Sequence, residues 1–272
     1  MLTMRPAALA FEAVAPDFDR RFAAWQSVAA QRRAVRRVLT DVFPRGGRIF
    51  ELGGGTGEDA VWLAERNFAL LLTDASPAMV ERARAKLAPM GARAEIAAAE
   101  ELDSFAERHA ASGGAAFDGA FSNFAPLNCV DDLSPVARGL ARLLKPGSAA
   151  ILVLFGTMAP GEIVLECLSG RPERALRRFR RGPVPAELCG FAFGVRYHRP
   201  SAIVSVMRPW FGLVRRLGIG IFVPPSAAEP WISRHQRLLA GLEWADRLAS
   251  RPLASLGDHV LYHFERTTVS AP

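Results

Sequence analysis

Half of the 272 residues are apolar and fewer than a quarter are charged, so the chain can bury a large core and general disorder is excluded. A net charge of +7 admits nucleic acid or an anionic membrane surface as a partner. Against nucleic acid, every basic residue except Lys86 and Lys145 is arginine, and the charge is dispersed apart from one cluster at 171–181.

Cys129, Cys167 and Cys189 form no CxxC pair and no Cys/His spacing, so neither a metal site nor a disulfide framework is expected. They read as buried free thiols in a reducing compartment. Leu9 and Ala10 run straight into Glu12, Asp17 and Asp19, which is not a secretory pattern. The longest apolar runs, such as 149–155, fall far short of the ~20 residues of a membrane helix. A soluble, cytoplasmic protein is expected.

Residues 19–43 carry Phe22, Trp25, Val28, Val35, Val38 and Leu39 at helical spacing among arginines. This predicts one or two amphipathic helices, ended by Pro44, Gly46 and Gly47. An apolar strand at 48–52, a glycine run and a helix over about 58–66 follow. The alternation then repeats with a strand at 69–73 and a helix to about 88, for which Ser76 is the N-cap and Pro77 the first residue. A weaker strand at 92–98 and another at 118–122 come next. Ser134 and Pro135 announce a helix that Lys145-Pro146-Gly147 stops, and 149–155 is a fifth strand. Such alternation predicts a parallel sheet covered by helices on both faces.

After Phe155 the rhythm breaks. Two short helical stretches at 161–169 and 172–180 precede a loop rich in glycine, proline and aromatics. A helix at 201–210, a strand at 213–222, a helix at 230–249 and an alternating strand at 259–265 complete the chain. The expected organisation is a single domain over 1–272. It comprises an N-terminal helical cap (1–45), a cofactor-binding core (46–158), a lid insertion (159–200) and the C-terminal part of the sheet (201–272).

The informative segment is Arg48-Ile49-Phe50-Glu51-Leu52-Gly53-Gly54-Gly55-Thr56-Gly57, a strand ending in an acid, then a glycine loop leading into a helix. Such a loop lets a ligand approach the backbone, and the helix start offers free N–H groups. A dinucleotide fingerprint starting at Gly53 would need its third glycine at position 58, which is Glu58, and no lysine is near for a phosphate-binding loop. The segment instead resembles the acid-x-G-x-G-x-G motif of class I S-adenosylmethionine-dependent methyltransferases, matched by Glu51, Gly53, Gly55 and Gly57. An acid beside the loop suits a cofactor that carries an ammonium group and no pyrophosphate.

Further stretches resemble the same family. Asp74 ends the second strand about 20 residues on, where an acid can bind ribose hydroxyls. Ala75-Ser76-Pro77-Ala78-Met79 is similar to the family's D-x-S-x-x-M stretch and puts Ala75 near the adenine. Ala98-Ala99-Glu100-Glu101-Leu102 is similar to G-D-A-E-D-L, although Ala98 stands where the family has aspartate. Ala99 and, as the substitute acid, Glu100 or Glu101 are therefore the expected adenine contacts. Phe117–Phe124 matches the family's fourth strand, whose end with Asn123 faces the methyl group. Leu143-Leu144-Lys145-Pro146-Gly147 is close to its L-K-P-G-G turn. Phe18-Asp19 resembles the aromatic–Asp pair that many small-molecule members place over the cofactor, though plain helix packing explains Phe18 equally.

What the resemblance implies is a seven-stranded doubly wound α/β sheet of the Rossmann-like methyltransferase fold, with N-terminal helices and a mostly helical lid after strand five. It also implies S-adenosyl-L-methionine as cofactor, no metal, and transfer to an O or N atom of a small lipophilic acceptor. Rival readings are a nucleic-acid or protein methyltransferase and a non-methylating S-adenosylmethionine-binding protein. Asn123-Phe124-Ala125-Pro126 lacks the Asn/Asp-Pro-Pro-aromatic motif of the former.

Tyr197 and His198, at the end of the lid, are the candidate catalytic pair, since histidine titrates near working pH. A loop residue without chemistry is the competing reading of His198. His259 and His263 read as structural. The arginines at 171, 174, 177, 178, 180 and 181 read as a solvated helix face or as a surface for an acidic substrate or an anionic membrane.

Overall fold

The computed structural model describes residues 4–268. The outermost ends of the expected cap and C-terminal part, 1–3 and 269–272, lie outside them. Three N-terminal helices, α1 (Pro6–Val14), α2 (Phe18–Ala23) and α3 (Gln26–Val42), lead into β1 (Arg48–Leu52), α4 (Glu58–Ala64), β2 (Ala69–Asp74) and α5 (Pro77–Leu87). β3 (Arg93–Ile96), α6 (Leu102–Ala111), β4 (Phe117–Ser122), α7 (Ser134–Leu143) and β5 (Leu144–Phe155) continue the alternation. The boundaries follow local chemistry. Ser76 caps α5 by accepting the Met79 N–H at 3.1 Å, with Pro77 at the first helical position.

After β5 come α8 (Pro160–Leu168), α9 (Pro172–Ala175), a hairpin of β6 (Pro183–Leu188) and β7 (Phe191–Arg196), then α10 (Pro200–Met207). β8 (Phe211–Ile219), α11 (Gln236–Ala249) and β9 (His259–Arg266) complete the chain. The seven-stranded sheet has the order β3-β2-β1-β4-β5-β9-β8. β1 to β5 pair in parallel, and β9 runs antiparallel between β5 and β8. β1 and β4 are neighbours, so the strand order reverses between them, and ligands of such sheets bind beyond the carboxyl ends at that reversal.

Both faces of the sheet are covered. Leu39, Leu63 and Val80 from α3, α4 and α5 pack on Ile49, Leu72 and Ile151. On the other face Phe105, Val136, Leu140 and Met207 from α6, α7 and α10 pack on Phe50, Leu152 and Phe264.

Three expectations are corrected. The stretch read as a loop before residue 200 is the β6–β7 hairpin, so the insertion is helical only in its first half. The helix expected at 230–249 begins at Gln236, after 3-10 turns at 226–228 and 232–234. The three cysteines are free but not buried, with Cys167 and Cys189 exposed. An unforeseen helix, α1, precedes the expected cap helices.

Candidate active site at the carboxyl edge of the sheet

Glu51 is buried near the carboxyl end of β1, and its Oε2 has no hydrogen-bond partner. Burial, reinforced by the charge of Asp59, pushes its carboxyl well above the usual range. A Cβ on Gly54 would meet Leu72 Cδ1 at 2.4 Å and Glu51 Cδ at 2.7 Å, so only glycine lets the loop fold down on that carboxyl. Gly55 is left-handed, and a Cβ there would meet nothing within 4 Å, which leaves open space above the loop. Gly53 and Gly54 both donate to the Thr73 carbonyl, and Gly57 caps α4 in a left-handed conformation.

Asp74 closes β2. One carboxylate oxygen accepts the Gly55 N–H and the other the Ser76 N–H, each at 2.9 Å, so this residue braces the loop. Burial raises its pKa, opposed by these backbone hydrogen bonds. A carboxylate has about four acceptor sites, which leaves capacity for ribose hydroxyls. An unpartnered buried acid, open space over Gly55 and a second acid one strand away fit the ammonium and ribose of S-adenosylmethionine.

Beneath the loop, buried Asp59 pairs with Arg32 at 2.8 Å and Arg36 at 2.7 Å, and accepts a hydrogen bond from Asn123 Nδ2 at 2.8 Å. Those arginines hold its carboxyl below the usual range despite burial. Asn123 Oδ1 also accepts the Phe124 N–H. The Asn123 amide is thus tied to Asp59 and to its own loop. That loop is strained: Phe124 and Ala125 are both left-handed, at φ 57° and 63°. Such conformations cost about 1–3 kcal/mol each and persist where the surroundings enforce them. Here the Ala125 N–H donates to the Val153 carbonyl at 3.2 Å.

The strain turns Phe124 toward β9, where its ring meets His259 edge-on at 5.8 Å. Phe155, at the end of β5, lies 4.8 Å from His259 and 5.9 Å from Tyr197 between ring centres. His259 is buried and its Nδ1 has no aligned hydrogen bond, although Asp258 Oδ2 lies 3.3 Å away. His198 is held differently. Its Nε2–H donates to the Val130 carbonyl at 2.9 Å, and burial lowers its pKa against the pull of that hydrogen bond, which leaves only Nδ1 unengaged.

The N-terminal helices reach the same edge. Glu12 on α1 accepts from Ser76 Oγ at 2.6 Å and from the Ala78 N–H at 2.9 Å. Thr56 Oγ1 donates to Asp19 at 2.5 Å, and Lys86 pairs with Asp19 at 2.7 Å, which ties α2 to the glycine loop. Phe18 packs on Phe11 and Phe22. Phe11 in turn meets Phe193 of the β6–β7 hairpin at 6.2 Å, and Asn128 Nδ2 donates to the Arg196 carbonyl at 2.6 Å.

Among the adenine candidates, Ala75 and Ala99 are half-buried, Glu101 is exposed, and Glu100 pairs with Arg5 at 3.2 Å. The arginine cluster is not a uniformly solvated face. Arg178 is buried and binds Glu162, Asp258 at 2.5 Å and the carbonyls of Gly156 and Asp258, while Arg177 binds Glu162 and Arg171 binds Glu166. Sequence reading did not find Glu12, Asp59, Phe124 or Arg178. Glu12, Asp59 and Arg178 act through partners distant in the chain, and Phe124 through a backbone conformation that no local residue type signals.

A seven-stranded sheet of this order, with an acid-flanked glycine loop at its reversal point, has the Rossmann-like methyltransferase fold. Residues 49–147 match the family model described as a methyltransferase domain. That stretch is similar to class I S-adenosylmethionine-dependent methyltransferases, which supports S-adenosylmethionine as the ligand of the glycine loop. Over 154 residues, 56% of its length, it is 31% identical to the biotin biosynthesis bifunctional protein BioHC of Cellvibrio japonicus, and the match spans 28% of that protein.

Solved structures share the fold at lower identity. A TehB-like methyltransferase of Corynebacterium glutamicum is 13% identical with a TM-score of 0.54, over 94% of this chain and 99% of that one. A methyltransferase of Mesorhizobium loti is 21% identical with a TM-score of 0.52, over 87% and 98%. The CcbJ methyltransferase of Streptomyces caelestis is 16% identical with a TM-score of 0.55, over 88% and 90%. No helix among the described residues is long and apolar enough to cross a membrane.

Proposed function

We propose that the protein transfers a methyl group from S-adenosylmethionine to an O or N atom of a small lipophilic acceptor in the cytoplasm. The supporting observation is the contrast along the carboxyl edge. An unpartnered buried carboxyl stands beside the glycine loop, whereas Phe124, Phe155 and Tyr197 form an aromatic wall over β4 and β5.

When bound, the cofactor supplies a methyl group activated by its sulfonium. Glu51 would hold the ammonium, Asp74 the ribose, and Gly53, Gly54, Gly55 and Gly57 would admit the ligand to the backbone. Ala75, Ala99 and Glu100 would flank the adenine, with Phe18 above it. Residues 159–200 act as a lid that excludes water, and 1–45 as a cap.

Aligning acceptor and donor in such an enclosure can supply ~7–11 kcal/mol. Tyr197 and Phe155 orient the acceptor. His259, between Phe124 and Phe155, is a second candidate to take a proton from an acceptor hydroxyl or amine, through Nε2, since its Nδ1 faces Asp258 at 3.3 Å. The test is incubation with methyl-labelled S-adenosylmethionine and a cell extract, followed by partition into organic solvent. Label in the organic phase is expected. Label confined to precipitated protein or nucleic acid would replace this reading with one of the macromolecular alternatives.

A further inference from the structure

Helix α8 is amphipathic in the inverse sense. Its buried residues are Glu162 and Glu166, one turn apart, whereas Val164 and Leu168, also one turn apart, are 55% and 80% exposed. The inward acids are neutralised by Arg177, Arg178 and Arg171, so the polar side of the helix is used to fasten it down. Against α8 lies α9, and just beyond it Leu176 and Phe179 are 59% and 50% exposed. Arg174, Arg180 and Arg181 rim this apolar face and make no ion pair among the described residues. Monomeric proteins seldom display several large apolar side chains together without a partner to cover them.

The charge pattern selects the partner. On residues 160–181 the only exposed carboxylate is Glu173, because Glu162 and Glu166 are turned inward. A second copy of the chain would set these arginines against one another. An anionic bilayer satisfies both components, with phosphate headgroups for the arginines and acyl chains for the leucines and phenylalanine.

We propose that the outer face of the lid docks on an anionic lipid surface, with Leu168 and Phe179 inserted below the headgroups. This surface is separate from the cofactor site and goes beyond the acceptor reading, since docking needs no acceptor.

Flotation of the full chain with vesicles of phosphatidylcholine and phosphatidylglycerol, against vesicles of phosphatidylcholine alone, tests it. Binding to the anionic vesicles that weakens with salt is expected. Each arginine near such a surface is worth roughly fivefold in partitioning, so the double variant Arg180→Glu/Arg181→Glu should bind at least about tenfold more weakly. The charge-neutral double variant Leu168→Gln/Phe179→Gln, on exposed positions, should lose binding to the same degree while its melting temperature and its affinity for S-adenosylhomocysteine stay unchanged.

No flotation of the wild type at low salt would overturn the proposal. So would undiminished binding by the Leu168→Gln/Phe179→Gln variant, which would mean electrostatic adsorption alone. A concentration-dependent dimer abolished by Leu168→Glu would assign the face to a second copy instead. A failure of methyl transfer alone bears on the acceptor reading and not on this one.

Discussion

At Glu51 a buried carboxyl meets no donor for Oε2, and its pKa is raised by burial and by Asp59. In the free protein this group is protonated over a pH range where an ordinary carboxylate is ionised, so its contribution to stability is lost as pH rises through the raised value. A ligand ammonium requires the ionised form. Binding of S-adenosylhomocysteine should therefore expel up to one proton, and affinity should rise with pH by at most about tenfold per unit until Glu51 is ionised without ligand. Calorimetry in buffers of different protonation heat reads that proton directly. Glu51→Gln should remove both the proton release and the pH dependence, and a pH-independent wild type would mean that Glu51 does not face the ammonium.

Asp74 offers a contrasting case, because its oxygens already accept Gly55 and Ser76 N–H groups. Asp74→Asn should weaken S-adenosylhomocysteine by roughly 1.5–3 kcal/mol through loss of a charged acceptor. Both Asp74→Asn and Asp74→Ala should lower the melting temperature, because alanine leaves the Gly55 and Ser76 N–H groups without an acceptor and the asparagine NH2 cannot accept one of them. Melting temperatures unchanged from the wild type in both variants would mean that the bracing is immaterial.

Among the elements, Arg178 joins the lid to the start of β9 through Glu162 and Asp258. Arg178→Met takes the guanidinium from buried Asp258 and leaves Glu162 with Arg177 alone, and should cost about 3–5 kcal/mol in urea unfolding. Arg171→Ala, which removes a largely exposed arginine from buried Glu166, should cost less, because a single pair is lost instead of a network. Similar losses for both would show that burial of the Arg178 network contributes nothing.

How legible each element was follows from the range of its interactions. The β1–loop–α4 unit was readable because Glu51, the glycines and the apolar strand are adjacent in the chain. The β6–β7 hairpin was not, since Pro183, Pro185, Gly190 and Gly194 read as breakers. Yet an isolated two-stranded ribbon tolerates proline where the N–H faces outward, and Cys189-Gly190, both at positive φ, make the two-residue turn between Leu188 and Phe191. The alternation of Phe191, Phe193 and Val195 was the available signal. Arg178 looked like one more surface arginine because Asp258, which buries it, lies 80 positions away.

For the whole molecule, the decisive feature is that β9 lies between β5 and β8. The C-terminal strands thus complete the sheet that carries the glycine loop, and Leu217, Ile219 and Leu261 share one core with Leu39, Ile49 and Leu72. Neither half can unfold while the other keeps its core, so heat should unfold the chain in one cooperative step, with calorimetric and van't Hoff enthalpies in agreement. A ligand held only by the folded state at a hundredfold excess over Kd adds about 2.7 kcal/mol. For a domain of this size each kcal/mol shifts the melting temperature by about 2–4 °C, so S-adenosylhomocysteine should raise the whole transition by about 5–10 °C. NAD should leave it unmoved, because Glu51 repels a pyrophosphate and Glu58 stands where a dinucleotide loop needs glycine. Two separate transitions, with only one responding to S-adenosylhomocysteine, would show instead that residues 201–272 fold as a unit of their own.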